Sequence, residues 1–185
     1  MKVIVLGAAA GGGFPQWNAA STNNARAFAG DPAFPRLTQS SLAVSSNGND
    51  WVLLNASPDL RQQILATPEL HPREAPRSSP IKAVILTGAD IDAIAGLLVL
   101  RESQPFDLWA TPYVLDAISR NPMFNALRTD IVTRCPIPLG PPFKPLPSLS
   151  ARAADLGGKP PLYMEGEHGL ASRSGANIGI QIRDK

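Results

Sequence analysis

The residues best suited to chemistry are two aspartates in the stretch Gly88-Ala89-Asp90-Ile91-Asp92. They follow IKAVILT at 81–87, a short continuous apolar run that reads as a buried strand. The loop leaving such a strand is where α/β sheets place their ligand sites. A carboxylate pair at this spacing can bind a divalent cation, or one of the two can serve as a general base, with Asp92 the catalytic candidate. The competing use is structural, because Asp92 precedes Ala93, where an aspartate caps a helix.

The remaining reactive side chains are sparse. His71, in Leu70-His71-Pro72, reads as an exposed loop histidine. His168 lies in Glu165-Gly166-Glu167-His168-Gly169, where the imidazole could ligate a metal with Glu165 or Glu167, against the plainer reading of a solvated histidine in a glycine-rich loop. The single cysteine, Cys135, has no histidine beside it in sequence and reads as a small buried residue, not a nucleophile. With one thiol there is no internal disulfide and no cysteine-rich zinc module. The glycine-rich stretch 7–13 invites a nucleotide-binding reading that fails in detail. Ala9 stands where a dinucleotide fingerprint needs its second glycine, and Gly13-Phe14 stands where a phosphate-binding loop needs Lys-Ser/Thr. The glycines then mark a tight turn at a strand end.

The elements that must position these groups alternate between strand and helix. A strand at 2–6 feeds the glycine-rich loop, and its apolar residues with Lys2 also imitate a short signal peptide; Gly7 and the β-branched Val3-Ile4-Val5 favour the strand. A short helix is expected at 22–29. SSLAVSS and WVLLN flank Asn47-Gly48 and predict a hairpin. Ser57-Pro58-Asp59 predicts a helix start, with Ser57 as cap and Pro58 as first helical residue. FDLWA reads as a strand, Thr111-Pro112 as the start of a helix that Asn121-Pro122 interrupts, and the proline-dense 136–147 as neither helix nor central strand. Ile178, Ile180 and Ile182 alternate with polar or small residues, as in a half-buried strand. Strands alternating with helices give an α/β layered domain.

Composition bounds the functions. The chain has 185 residues, 44% apolar and 17% charged, enough for one well-formed core. A net charge of +2 without a basic cluster argues against nucleic-acid binding through phosphates. The apolar run 93–100 is too short to span a bilayer. A cytoplasmic protein with no membrane span is expected.

Five segments, GAAAGGGFPQWN, RLTQSSLAVS, WVLLNASPDLRQQI, DIDAIAGLLVLRE and ANIGIQI, resemble in order and spacing the pyrroloquinoline quinone (PQQ) biosynthesis protein B family. The resemblance implies an α/β metallo-β-lactamase-like αββα sandwich, a mixed sheet with flanking helices. It also implies a fold that continues beyond ANIGIQI. The chain is therefore expected to be the N-terminal part only, with 1–185 a single incomplete domain. Family members are assigned either a metal-dependent oxidation of a tyrosine-containing precursor or a carrier role for PQQ or its precursor.

The departures from the family pattern all concern metal. Where it carries closely spaced cysteines for a structural zinc, this chain has Asn18-Ala19-Ala20-Ser21-Thr22-Asn23-Asn24; where it has Asp-His, this chain has Asp92-Ala93; where it has Gly-Asp before the last strand, this chain has Gly175-Ala176. The remaining metal donors are Asp90, Asp92 and His168, short of a catalytic transition-metal site. The expectation is a handler or transporter of PQQ or a precursor, with no cofactor. The alternatives are a hydroxylase of a tyrosine-containing precursor peptide, with zinc or iron completed by a partner, and a non-functional remnant. The ligand-binding residues expected at the mouth are Gly11, Gly12 and Gly13, whose amides would bind carboxylates, with Asn55, Ser57 and Asp59, and with Arg36 and Arg61 as charge partners. A homodimer through the terminal strand is a further expectation.

Overall fold

The computed structural model describes residues 1–74, 76–164 and 171–184. The first sheet has six strands, β1 (Lys2–Gly7), β2 (Ser41–Ser45), β3 (Trp51–Leu54), β4 (Ile81–Ile85), β5 (Phe106–Ala110) and β6 (Val132–Pro136), lying side by side in chain order. β1, β2 and β3 pair antiparallel, and β3 to β6 run parallel. The second sheet holds β7 (Pro142–Leu146), β8 (Leu149–Asp155) and β9 (Ile178–Asp184), all antiparallel.

The helices are α1 (Thr22–Phe28), α2 (Leu60–Ala66), α3 (Ile91–Ile94), which continues as a 3-10 turn over Ala95–Leu100, and α4 (Pro112–Ser119). Alternation along the central strands sends one set of side chains to each face. Trp51, Leu53, Val84 and Leu108 pack with Leu60, Leu97, Val114 and Ile118 from the helices. Val44, Val52, Ala83 and Ile85 face the second sheet and meet Phe143, Leu149, Ala151 and Ile178. Trp109 stacks on Phe143 at 5.0 Å between the sheets. The order of layers is helices, first sheet, second sheet, with a core on either side of the first sheet. It is the expected α/β layering, without a helical layer outside the second sheet among the described residues.

The predicted hairpin is β2–β3, joined over 46–50 by a turn in which the Asn47 carboxamide accepts from the amides of Asn49 and Asp50. Thr111 caps α4, its hydroxyl accepting from the Val114 amide. Two helix starts differ from expectation. α2 begins at Leu60, because Asn55 takes a left-handed turn (φ 62°) and the Leu60 amide closes onto the Ser57 carbonyl. Asp92 is not a cap either: α3 begins at Ile91, the extended Asp90 stands before it, and no side chain caps its first turn. β6, β7 and β8 carry no strand expectation from sequence, and the proline-bearing β6 and β7 lie at sheet edges, where a missing N–H costs little.

Candidate functional site

The loops that follow β1, β3, β4 and β5 meet at one end of the first sheet. Asn55 fastens two of them: its side chain donates to Thr87 Oγ1 at 2.9 Å and accepts from the Thr87 amide at 2.9 Å. The Ala56 amide donates to the Ala93 carbonyl, and the Gly96 amide to the Ala56 carbonyl. This approach requires glycine, since a Cβ on Gly96 would stand 2.0 Å from the Ser57 carbonyl oxygen. From the second sheet side, Thr111 Oγ1 donates to the Gly175 carbonyl at 2.6 Å and the Ile178 amide to the Thr87 carbonyl. Asp155 steadies that return loop, accepting from Ser174 Oγ and from the Gly157 and Gly175 amides, contacts that hold its carboxyl below the usual range.

Within this frame Asp90 and Asp92 make no cap and remain at the loop surface. A Cβ on Gly11 would lie 3.4 Å from Asp92 Oδ2, so the glycine-rich loop passes directly over that carboxylate. Burial, and then the charge of Asp92, push the Asp90 carboxyl above its ordinary value. Tyr163 closes the far side, its phenol donating to the Ala89 carbonyl at 2.7 Å. Burial first, then Asp90, push that phenol up to about 12, so it stays a neutral donor.

The expected ligand residues divide. Gly12, Gly13, Arg36 and Asp59 line one groove of about 320 Å³ with Phe14, Pro15, Trp17, Phe28, Leu37, Thr38 and Gln62. Gly11 sits beside it over Asp92. The Gly12 and Gly13 amides are not available for carboxylates as expected, because Gly12 N–H already donates to Gln39 Oε1 and Gly13 N–H to the Ala10 carbonyl. Asp59 Oδ2 accepts from the amide and the carboxamide of Gln39, which turns it away from the helix it precedes. Arg36 donates to the Phe28 carbonyl at 3.1 Å, which fixes its guanidinium against the end of α1. Ser57 is not at the mouth: it is fully buried and donates to Gln63 Oε1. Arg61 is exposed on α2, where its neighbour Gln62 lines the groove instead. Asn55 serves the loop clasp.

Sequence reasoning missed Trp17, Phe28 and Tyr163. Trp17 is 81% exposed and Phe28 48% exposed, both beside Arg36 in the groove. The available signal was Trp17 itself, an indole in the polar run Gln16-Trp17-Asn18 with no apolar periodicity around it. His71 is a loop histidine, its Nε2 3.1 Å from the Leu65 carbonyl oxygen. Cys135 is half-buried at the edge strand β6, not buried as expected, and what burial it has pushes its thiol up, away from nucleophilic use.

A transition metal requires at least three protein donors converging on one point. Among the described residues no three His, Cys, Asp or Glu side chains do so. Asp90 and Asp92 are the donors at this loop, and position 93 is an alanine. His168, with Glu165 and Glu167, lies outside the described residues. The described donor set does not fit zinc or iron. No helix among the described residues is long and apolar enough to cross a membrane.

Residues 50–185 match the family described as Beta-lactamase superfamily domain. The chain is 53% identical over 165 residues to coenzyme PQQ synthesis protein B of Methylorubrum populi, covering 89% of this chain and 55% of that protein. It is 51% identical over 192 residues to the protein of that name from Gluconacetobacter diazotrophicus, covering 100% of this chain and 62% of the relative. In solved structures it superposes on Zn(2+)-bound PqqB from Methylobacterium extorquens with a TM-score of 0.94 at 48% identity, covering 98% of this chain and 61% of that one. A diphosphatase from the PhnP family shares the fold, with a TM-score of 0.65 at 20% identity over 96% of this chain and 61% of that one. The chain spans about three-fifths of the length of the curated relatives it matches.

Proposed function

This chain belongs to the beta-lactamase superfamily and, within it, to the coenzyme PQQ synthesis protein B family, and on that basis we propose that it serves PQQ biosynthesis by holding or passing on PQQ or a precursor. The observation that supports this most directly is the groove that joins the Arg36 guanidinium to the exposed rings of Trp17 and Phe28. A planar aromatic carboxylate meets both needs there, ring stacking and a charge-assisted hydrogen bond. We take 1–185 to be a single, incomplete domain of this fold, and the compartment we propose is the cytoplasm. The second partner we propose is another copy of the chain, docked through β9.

Trp17 reports on the groove, since Trp51 is buried and Trp109 is packed on Phe143. Titrating the chain with PQQ should give saturable quenching of the exposed tryptophan. Arg36→Gln should weaken binding about tenfold, the value of one charged hydrogen bond. Quenching that is linear in PQQ and indifferent to Arg36 would sink this reading.

A second reading is a metal-dependent hydroxylase of a tyrosine-containing precursor, its ligands completed by a partner chain or second copy. It draws on the uncapped carboxylates of Asp90 and Asp92 and on the zinc named for the PqqB structure. Elemental mass spectrometry after gel filtration separates the two. Under about a tenth of an equivalent of any transition metal retires the hydroxylase. A stoichiometric metal that falls in Asp90→Asn and Asp92→Asn retires the carrier in its metal-free form.

A further inference from the structure

Two opposite charges, Arg36 and Asp59, line the groove beside Trp17 and Phe28. A carboxylate next to the cation that receives an anionic ligand weakens that ligand, unless the ligand brings a donor for it. The contacts around Asp59 fix which of its oxygens is free. Gln39, 7% exposed, accepts from the Gly12 amide through Oε1 at 2.9 Å, so its Nε2 is the end turned to Asp59. That Nε2 and the Gln39 amide both donate to Asp59 Oδ2, at 3.0 and 2.9 Å. Gln63 Nε2 donates to the Gln39 carbonyl at 2.8 Å and ties the same residue to α2. Asp59 Oδ1 accepts from no described residue and is not enclosed in the core. It is the oxygen that half-buried Asp59 has left for the groove. The Thr38 hydroxyl is already committed, donating to the Leu6 carbonyl and accepting from Gln63. Every contact in this set is made within residues 6–63.

We infer that Asp59 is a specificity-determining residue that selects the reduced, hydroxyl-bearing form of the ligand, an inference that deepens the proposed groove function and rests on it. A carboxylate oxygen accepts hydrogen bonds and gives none. PQQ carries two adjacent quinone carbonyls, which also only accept. In its two-electron reduced form those positions are hydroxyls, which donate. With a ligand carboxylate on Arg36 and the rings against Trp17 and Phe28, Oδ1 receives a hydroxyl of the quinol and repels a carbonyl of the quinone. Gln39 acts through Asp59, as the positioning residue that occupies Oδ2 and leaves Oδ1 open. Oxidation of a bound quinol then favours its release.

Equilibrium dialysis under nitrogen, with PQQ as the quinone or held reduced by dithionite, reads the two dissociation constants. The quinol should bind about tenfold more tightly, the value of one hydrogen bond to a charged group. The midpoint potential of protein-bound PQQ should then lie about 30 mV above that of free PQQ, the same factor for a two-electron couple. Asp59→Asn keeps an oxygen for Gln39 and sets an amide donor in place of Oδ1, so the preference should vanish or turn toward the quinone. Arg36→Gln should weaken both forms by similar factors and leave their ratio unchanged. Circular dichroism verifies the fold of each variant, and the ratio in the parent chain decides the matter even where a variant fails to fold. Equal affinities, as a contact through the pyrrole N–H would give, or tighter binding of the quinone, overturn the inference and leave the groove function standing. So does a quinol preference that survives in folded Asp59→Asn. Retention of neither form overturns the groove function and this inference with it.

Discussion

Burial and the neighbouring charge of Asp92 favour the protonated form of Asp90 in the folded chain. A carboxyl whose pKa is raised on folding stabilises the fold most below its unfolded value, and that contribution is lost as pH climbs through the folded value. Asn imitates the neutral acid, so Asp90→Asn should unfold at higher urea than the parent at neutral pH. The gap should close as pH falls toward and below 3.8. Urea midpoints across that range give the answer, and a gap that persists in acid would mean the carboxylate is not strained. Single residues were unevenly legible in the sequence. The pair Asp90 and Asp92 could be located because a β-branched strand ends just before it. What the pair does could not, because the choice between cap and free carboxylate turns on whether the helix starts at 91 or 93. Ser57 looked like a cap and proved to be a buried donor to Gln63. That contact joins residues on two turns of chain whose approach only the fold determines.

At the scale of elements, strands with β-branched or aromatic runs bounded by turn residues could be read directly: β1, the β2–β3 hairpin, β4, β5 and β9. β8 could not, because its inward residues after Leu149 are Ala151 and Ala153, which carry little strand signal. β6 and β7 contain prolines and exist because edge positions forgive them. The clasp between the loop after β3 and the turn after α3 depends on Gly96. Gly96→Ala would drive a methyl into the Ser57 and Ala56 carbonyls and should cost on the order of 3 kcal/mol, the upper part of the overpacking range. Gly30→Ala serves as the comparison. Its φ is +77° but nothing lies within 4 Å, so backbone strain alone should cost about 1 kcal/mol. Thermal or urea unfolding of the two would show whether contact or conformation dominates. Equal losses would mean the loop after β3 yields easily, and the clasp would not be the device that holds Asp90 and Asp92 in place.

For the whole molecule, the six-stranded sheet has its strands in the same order in space as in the chain. Each new strand therefore adds to an edge that its predecessor has just made, and no later segment must be threaded between earlier ones. During synthesis the amino-terminal part of a chain is free to fold before the rest exists. Here Trp51, Leu53, Val84 and Leu108 can be buried under α2 and α4 while β7 is still unmade. The second sheet is different, since β9 must wait for the segment that separates it from β8. A ribosome carrying this protein would thus hold a helix-covered sheet whose other face is bare for as long as residues 137–184 take to be translated. That interval, more than the finished fold, sets when the nascent chain most needs a chaperone.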